Sequence, residues 1–86
     1  MRDIRVVMQN IAELMPADVY EEHRISFEKL LESVFYTAPE AMHIRWAQLG
    51  QLVEDIVGAK PFETWHYKVI GELMAIDPKV ALDIFG

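Results

Sequence analysis

Residues 37–58 read TAPEAMHIRWAQLGQLVEDIVG, and we expect the rest of the chain to pack around this segment. Its apolar side chains recur at three- and four-residue steps, which places them on one face of a helix. Thr37 followed by Glu40 predicts a capping box, and Pro39 suits the first helical turn. Gly58 stands where a left-handed residue would end the helix. The predicted core face carries Met42, Trp46, Leu49, Leu52, Val53, Ile56 and Val57.

Two helices are predicted before this segment. Residues 1–15 form the first, with Asp3 as the candidate N-cap, and Pro16 ends it because proline lacks the N–H that a helix interior needs. Asp18 is the predicted N-cap of the second helix, and Glu21 three residues later completes another capping box. Their predicted buried sides carry Ile4, Val7, Met8, Ile11, Leu14 and Met15, and then Val19, Tyr20, His23, Phe27, Leu30, Leu31, Val34 and Phe35.

Two more helices are predicted in the last third of the chain. Pro61 suits the first turn of the longer one. Gly71 costs about 1 kcal/mol in a helix interior relative to alanine, so we expect it to permit a close approach of two helices. Asp77 and Pro78 are an N-cap followed by an N1 proline, and they start a short helix at residues 79–85. The predicted core face of the longer helix carries Phe62, Trp65, Val69, Ile70, Leu73 and Met74.

The predicted fold class is all-α. No segment alternates apolar and polar residues between hairpin turns. We therefore predict a compact bundle of four helices plus a short C-terminal helix, formed as a single helical domain over residues 1–86. The apolar fraction of 52% exceeds the roughly 45–50% of ordinary globular chains. Disorder is not expected, and the surplus apolar area favours an interface, which leaves a homodimer open.

The composition also bears on location and redox chemistry. The chain has no cysteine, which excludes disulfides, zinc ribbons and thiol catalysis and fits a reducing cytoplasm. No apolar run approaches the roughly 18–20 residues of a membrane span. Charged residues interrupt the apolar ones near the N-terminus, so a signal peptide is not predicted. We expect a soluble, cytoplasmic protein with no membrane partner.

The charge balance is acidic, with a net charge of −6 from 14 acidic and 8 basic residues. Phosphate backbones repel such a surface, and no cluster of Lys and Arg offsets it, so no direct nucleic-acid binding is expected. Residues 16–36 and 37–57 carry net charges of −3 and −2, so most of the excess lies on the second and third helices. This acidic face either keeps an apolar domain soluble or steers a basic protein partner towards it.

Reactive chemistry has little support in the sequence. Neither serine stands in a G-x-S-x-G elbow, and no glycine-rich loop is present. Glu40 with His43 and Glu63 with His66 share the Glu-x-x-His spacing of di-iron bundles. Both motifs lie near helix starts, where antiparallel packing would separate them, and both glutamates fall off the core face. We assign these glutamates to the helix dipole and predict no catalytic residue, no cofactor and no metal.

Partner binding is the function that the residues favour. The aromatic side chains are too numerous for one small core to hide, and we expect at least two of the following to be exposed: Tyr20, Tyr36, Trp46, Phe62, Trp65, Tyr67 and Phe85. Tyr36, Tyr67 and Trp46 or Trp65 are of the types that anchor interfaces. The chain is interpreted as a non-catalytic protein–protein interaction module, an inhibitor or adaptor of the kind that phages use for host takeover or anti-defence. The alternatives are a DNA-mimicking inhibitor of a nucleic-acid-binding enzyme and a small carboxylate or metal enzyme. The predicted partner-binding residues are Glu21, Glu22, Glu28, Glu32, Tyr36, Glu54, Asp55, Tyr67 and Phe85.

Overall fold

The computed structural model describes residues 2–86, which form five α-helices. These helices are α1 (Arg2–Leu14), α2 (Ala17–Phe35), α3 (Met42–Val57), α4 (Ala59–Ile76) and α5 (Pro78–Phe85). A short 3₁₀ turn, Pro39–Ala41, leads into α3. No strand occurs in this part of the chain, so the prediction of an all-α fold is confirmed. None of the helices within residues 2–86 combines the length and the apolar character needed to cross a bilayer.

The first four helices form a closed ring of neighbours. Helix α1 packs against α2, α2 against α3, α3 against α4, and α4 against α1. The short α5 packs on α4 and α3 at one side of the ring. The predicted bundle of four helices plus a short C-terminal helix is confirmed. Helix α3 packs against α2, α4 and α5, so it contacts most of the other helices as expected.

A single apolar cluster fills the bundle, and every helix contributes to it. Two predicted apolar core positions of α4 lie outside this cluster: Met74 is 43% exposed, and Ile70 is half-buried. The buried row of α4 is Trp65, Val69 and Leu73, and Met74 lies about 100° around the helix from the last of these. The buried apolar side chains are Val7, Met8, Ile11, Met15, Phe27, Leu31, Val34, Met42, Trp46, Leu49, Val53, Trp65, Val69, Leu73, Ala81 and Ile84.

The start of α1 differs from the prediction. The helix already includes Arg2, so Asp3 lies inside the first turn and the prediction that it is the N-cap is wrong. Its side chain is buried. This burial is the largest cause that raises the pKa of the Asp3 carboxyl, and a hydrogen bond and the negative charge of Asp77 raise it further. The Arg2 guanidinium donates to the Ile76 carbonyl at 2.9 Å. Polar contacts therefore tie the start of α1 to the junction between α4 and α5.

The start of α2 also lacks its predicted cap. The helix begins at Ala17, and Pro16 holds the N-cap position without a side-chain hydrogen bond. The backbone of Pro16, at φ −58° and ψ 149°, lets the helix begin directly after it. Asp18 therefore lies in the first turn, where its carboxylate complements the positive end of the helix dipole. The predicted capping box of Asp18 and Glu21 is wrong, because the helix begins two residues earlier than predicted, directly after Pro16.

The predicted capping box of Thr37 and Glu40 is wrong as well. The chain passes Thr37 in a bend and enters a 3₁₀ turn, Pro39–Ala41, before α3 begins. The N-cap of that turn is Ala38, which has no side chain able to accept a hydrogen bond. A proline restricts the residue before it to extended backbone, and Ala38 has φ −65° and ψ 143°. This extended residue separates Thr37 from the first helical turn.

Gly58 and Asp77 stand at the two remaining helix junctions, as the sequence predicts. Gly58 has φ +91° and ψ 165°, and its N–H donates to the Glu54 carbonyl at 2.8 Å. That positive φ favours glycine and lets α4 begin at the next residue, although ψ lies outside the left-handed helical region. The Asp77 carboxylate accepts from the Val80 N–H at 3.4 Å, and Pro78 follows as the first helical residue. The predicted N-cap of the last helix is therefore confirmed.

Close approach of two helices occurs at Gly50 and not at Gly71. A Cβ added to Gly50 would lie 3.3 Å from ring carbons of Phe62, so α3 and α4 come together there. Gly71 is exposed, and a Cβ at that position would meet no atom within 4 Å. The prediction that Gly71 permits a close approach is wrong. It is a helix-interior glycine with open space around it.

We expect Gly71→Ala to stabilise the fold by about 0.5–1 kcal/mol, because alanine costs less backbone entropy in a helix and meets no neighbour here. Gly50→Ala gains the same helix propensity but must displace the Phe62 ring, so it should rank below Gly71→Ala. Urea unfolding of the three proteins measures the free energy of unfolding. A Gly50→Ala variant at least as stable as Gly71→Ala would contradict the close contact at Phe62.

Candidate functional site

One surface row of α2 combines aromatic and charged side chains. Its members recur at four-residue steps, so they form a continuous ridge along the helix. The row continues past the last residue of α2, since the Tyr36 N–H donates to the Glu32 carbonyl at 2.9 Å and keeps a helical position. The members of this row are Tyr20, Arg24, Glu28, Glu32 and Tyr36.

This row forms one wall of a groove between α1 and α2, which we call the α1–α2 groove. Its volume is about 370 Å³. Helix α1 supplies the opposite wall and helix α2 supplies both aromatic rings. The lining side chains are Ile4, Arg5, Met8, Tyr20, Glu28, Glu32 and Tyr36. The structure therefore brings three predicted partner-binding residues, Glu28, Glu32 and Tyr36, together in one place.

The two tyrosines of the α1–α2 groove differ in exposure. Tyr20 is half-buried and stacks on Phe27 with ring centroids 6.2 Å apart. Burial is the largest influence on its hydroxyl and raises its pKa; Arg24 opposes this and the neighbouring glutamates add to it. The Tyr20 phenol therefore stays protonated at neutral pH. Tyr36 is 70% exposed, so its ring is open to a partner.

The charges along the row are unevenly paired. The Arg24 guanidinium donates through Nε to Glu21 at 3.1 Å and through Nη1 to Glu28 at 2.9 Å. These hydrogen bonds raise the pKa of Arg24, whose charge is already permanent. Glu32 and Arg5 line the same groove, yet within residues 2–86 neither forms an ion pair. The open part of the groove thus presents one carboxylate and one guanidinium to solvent.

The other predicted partner-binding residues lie on separate surfaces. Glu21 and Glu22 are exposed on α2 outside the groove, and Asp55 is exposed on α3, where it accepts from Gln51 at 2.8 Å. Tyr67 is 66% exposed on α4. These positions remain predictions, although Arg24 links Glu21 to Glu28 at the edge of the α1–α2 groove.

Phe85 and Glu54 lie close to an aromatic cluster at the α3–α4 contact. Phe85 is half-buried, and its ring meets Trp46 edge-on with centroids 5.1 Å apart and planes at 87°. Trp46 and Trp65 stack with centroids 5.8 Å apart and planes within 2°. Both tryptophans are at most 4% exposed, so they are core residues and not interface anchors. The expectation of at least two exposed aromatic residues is nevertheless confirmed, by Tyr36 and Tyr67.

His66 belongs to the same cluster. The Trp46 Nε1–H donates to His66 Nδ1 at 3.4 Å, and the imidazole stacks on Phe62 with centroids 5.5 Å apart. Burial lowers the pKa of His66. The imidazole is therefore neutral at neutral pH, which is the state that can accept the indole hydrogen bond.

The two Glu-x-x-His motifs lie closer together than the sequence suggests. Because α4 begins at Ala59, His66 stands well inside that helix and shares a groove of about 310 Å³ with His43 on α3. The expected separation of these histidines is wrong. Their glutamates, Glu40 and Glu63, are exposed. Across the described residues, no three acidic or imidazole side chains gather in a way that could hold a metal ion.

No protein-family model, curated protein or solved structure matches this chain. Its function is therefore inferred from the chemistry of its surface. The α1–α2 groove offers a half-buried phenol, an exposed phenol, two carboxylates and an apolar floor, which are groups that bind by contact and charge.

We expect the midpoint of the His66 titration to lie below the 6.5 of an unperturbed imidazole. The unfolded chain then binds a proton at a higher pH than the folded chain, so the stability associated with neutral His66 is present above pH 6.5 and lost as the pH falls towards the folded pKa. An NMR titration of the imidazole carbons measures the midpoint, and the Trp46 indole N–H should shift with it. His66→Asn is the control in which that indole shift disappears. A midpoint at or above 6.5 would contradict the burial.

Proposed function

We propose that this chain is a non-catalytic protein–protein interaction module, a small inhibitor or adaptor that acts in the cytoplasm. The proposed binding surface is the α1–α2 groove. The observation that supports it is the meeting of Glu28, Glu32 and the exposed ring of Tyr36 in that one groove. A partner that covered this surface would contact an aromatic anchor and two carboxylates together.

The aromatic part of the groove accounts for affinity in this proposal. Tyrosine is enriched among the residues that dominate binding energy, because it buries a large rigid ring at a low cost in conformational entropy. Tyr36 is 70% exposed in the isolated chain, so a partner can bury most of the tyrosine ring. Met8 and Ile4 supply an apolar floor beside it. Truncating Tyr36 should weaken the complex by about 2 kcal/mol, or about 30-fold.

The acidic part of the groove accounts for partner choice. Opposite charge across an interface speeds association and rejects partners of like charge. Glu32 has no ion-pair partner among the described residues, and Glu28 already binds Arg24, so Glu32 is the carboxylate left to receive a basic group. We infer a partner with a basic surface, whose association rate falls as salt is added.

A DNA-mimicking inhibitor is the alternative use of the same acidic helix. Such a surface depends on carboxylates that replace phosphates along a row. Arg24 binds both Glu21 and Glu28, which neutralises part of the α2 row. This pairing favours a mixed aromatic and acidic contact over charge mimicry. Salt separates the two: a charge-led mimic loses its partner at high salt, whereas an aromatic-led contact retains most of it.

Photo-crosslinking tests the proposal. We expect p-benzoylphenylalanine substituted for Tyr36 to crosslink one partner protein in lysate, because that side chain would lie in the interface. The same substitution at Tyr67 is the matched control, since Tyr67 is equally exposed but lies on α4 outside the groove. Glu28→Gln combined with Glu32→Gln should reduce the crosslink from position 36 without changing the fold. Mass spectrometry identifies the captured protein.

Two outcomes would contradict the proposal. One is a set of products from position 36 that is identical to the set from position 67, which would indicate nonspecific capture. The other is capture from position 67 alone, which would move the interface to α4.

A further inference from the structure

The ion pairs of Arg24 show which cationic group suits the carboxylates of α2. Arg24 stands one turn after Tyr20 and one turn before Glu28 on α2. Its guanidinium spans two carboxylates, with Nε 3.1 Å from Glu21 and Nη1 2.9 Å from Glu28. A planar fork with several donors suits two separated acceptors in this way, whereas an ammonium group acts as a point charge.

The second half of the row repeats these residue types without a basic residue between them. Glu28, Glu32 and Tyr36 follow one another at four-residue steps, with Cβ atoms about 5–6 Å apart on a helix. Glu32 forms no ion pair in the part of the chain that the structure describes. Tyr36 holds its largely exposed ring at the open end of the row. This half of the row therefore carries two carboxylates and an exposed tyrosine ring with no basic residue of α2 beside them.

The α1–α2 groove has room for a side chain entering from outside. Its volume of about 370 Å³ lies at the lower end of the ~300–1,000 Å³ that ligand clefts occupy. The floor contains Met8 and Ile4, which can pack against the aliphatic stem of a long side chain. The two tyrosine faces can stack on a guanidinium plane. Arg5 lines the opposite wall, and its positive charge opposes any cation that enters.

We propose that the α1–α2 groove binds an arginine side chain of a partner protein. Glu32 receives its guanidinium together with Glu28 Oε2, the oxygen that Arg24 does not contact. Tyr36 covers the guanidinium face, and Met8 contacts the aliphatic stem. This inference rests on the interaction function proposed above and names the residue that the groove recognises. Arginine is preferred to lysine because a guanidinium can reach both carboxylates and stack on tyrosine at the same time.

Two blocked amino acids serve as probes: N-acetyl-arginine N-methylamide and the matching lysine compound. NMR titration of the labelled protein measures each affinity and maps the shifted residues. We expect shifts at Met8, Glu32 and Tyr36, with the arginine compound binding about two- to fivefold more tightly than the lysine compound, as cation–π stacking at an exposed site implies.

Variants separate groove binding from general charge attraction. Glu32→Gln and Tyr36→Ala should each weaken binding of the arginine compound. Arg5→Gln should strengthen it, because a repelling charge is removed while the carboxylates remain. Glu63→Gln removes an equal charge from an exposed position on α4 and should leave the affinity unchanged. Circular dichroism and urea unfolding show whether each variant keeps the fold.

The outcomes distinguish this inference from the interaction function. Equal affinity for the two compounds, or shifts confined to the α3–α4 contact, would overturn the arginine assignment. If position 36 still crosslinks a partner in that case, the interaction function stands and only its recognised residue is wrong. Binding of arginine that depends on Glu32 and Tyr36, with no partner crosslinked from position 36, would support the site and count against the interaction function.

Discussion

The contact between α3 and α4 is the constraint on which the rest of the bundle depends. A single residue, Gly58, joins the two helices, so side-chain size at their contact decides how closely they lie. Gly50 leaves space for the Phe62 ring, and the stacked rings of Trp46 and Trp65 fill the next part of the contact. A larger residue at position 50 would push α3 and α4 apart. The linker of one residue allows no movement that would compensate. Helices α2 and α5 both pack on α3, and α5 also packs on α4.

The α1–α2 groove follows from this arrangement. Helix α2 turns Phe27, Leu31 and Val34 towards the core, and this row is fully buried. The neighbouring row that contains Glu28 and Glu32 is thereby left at the edge of the packed face, where α1 and α2 meet. Polar side chains stay partly hydrated at such an edge while they stand beside the apolar floor residues Ile4 and Met8. The bundle therefore presents an aromatic and acidic edge to solvent, with Tyr36 at the C-cap of α2 as its most exposed ring.

Much of the fold could be predicted from the sequence, because burial requires apolar residues at helical spacing. In the sequence, the buried residues of α1, α2 and α3 recur at three- and four-residue steps. Helix starts were less predictable, because prolines at positions 16 and 39 override the nearby cap signals. The groove was predictable only in part. The four-residue spacing identifies Glu28, Glu32 and Tyr36 as neighbours on one face of α2. The opposite wall of the groove, with Arg5 and Met8, depends on how α1 packs across α2, and no local sequence pattern predicts that packing.

Native-state hydrogen exchange tests most directly whether the α3–α4 contact holds the bundle together. The amides of residues 49–53 lie on the most buried part of α3 and should exchange only when the whole chain unfolds. Their free energy of opening should therefore equal the global free energy of unfolding measured in urea. Exchange of these amides through a lower-energy opening, while amides of α1 and α2 stayed protected, would contradict the dependence of the bundle on this contact. In that case α3 would be a late addition to a pair formed by α1 and α2.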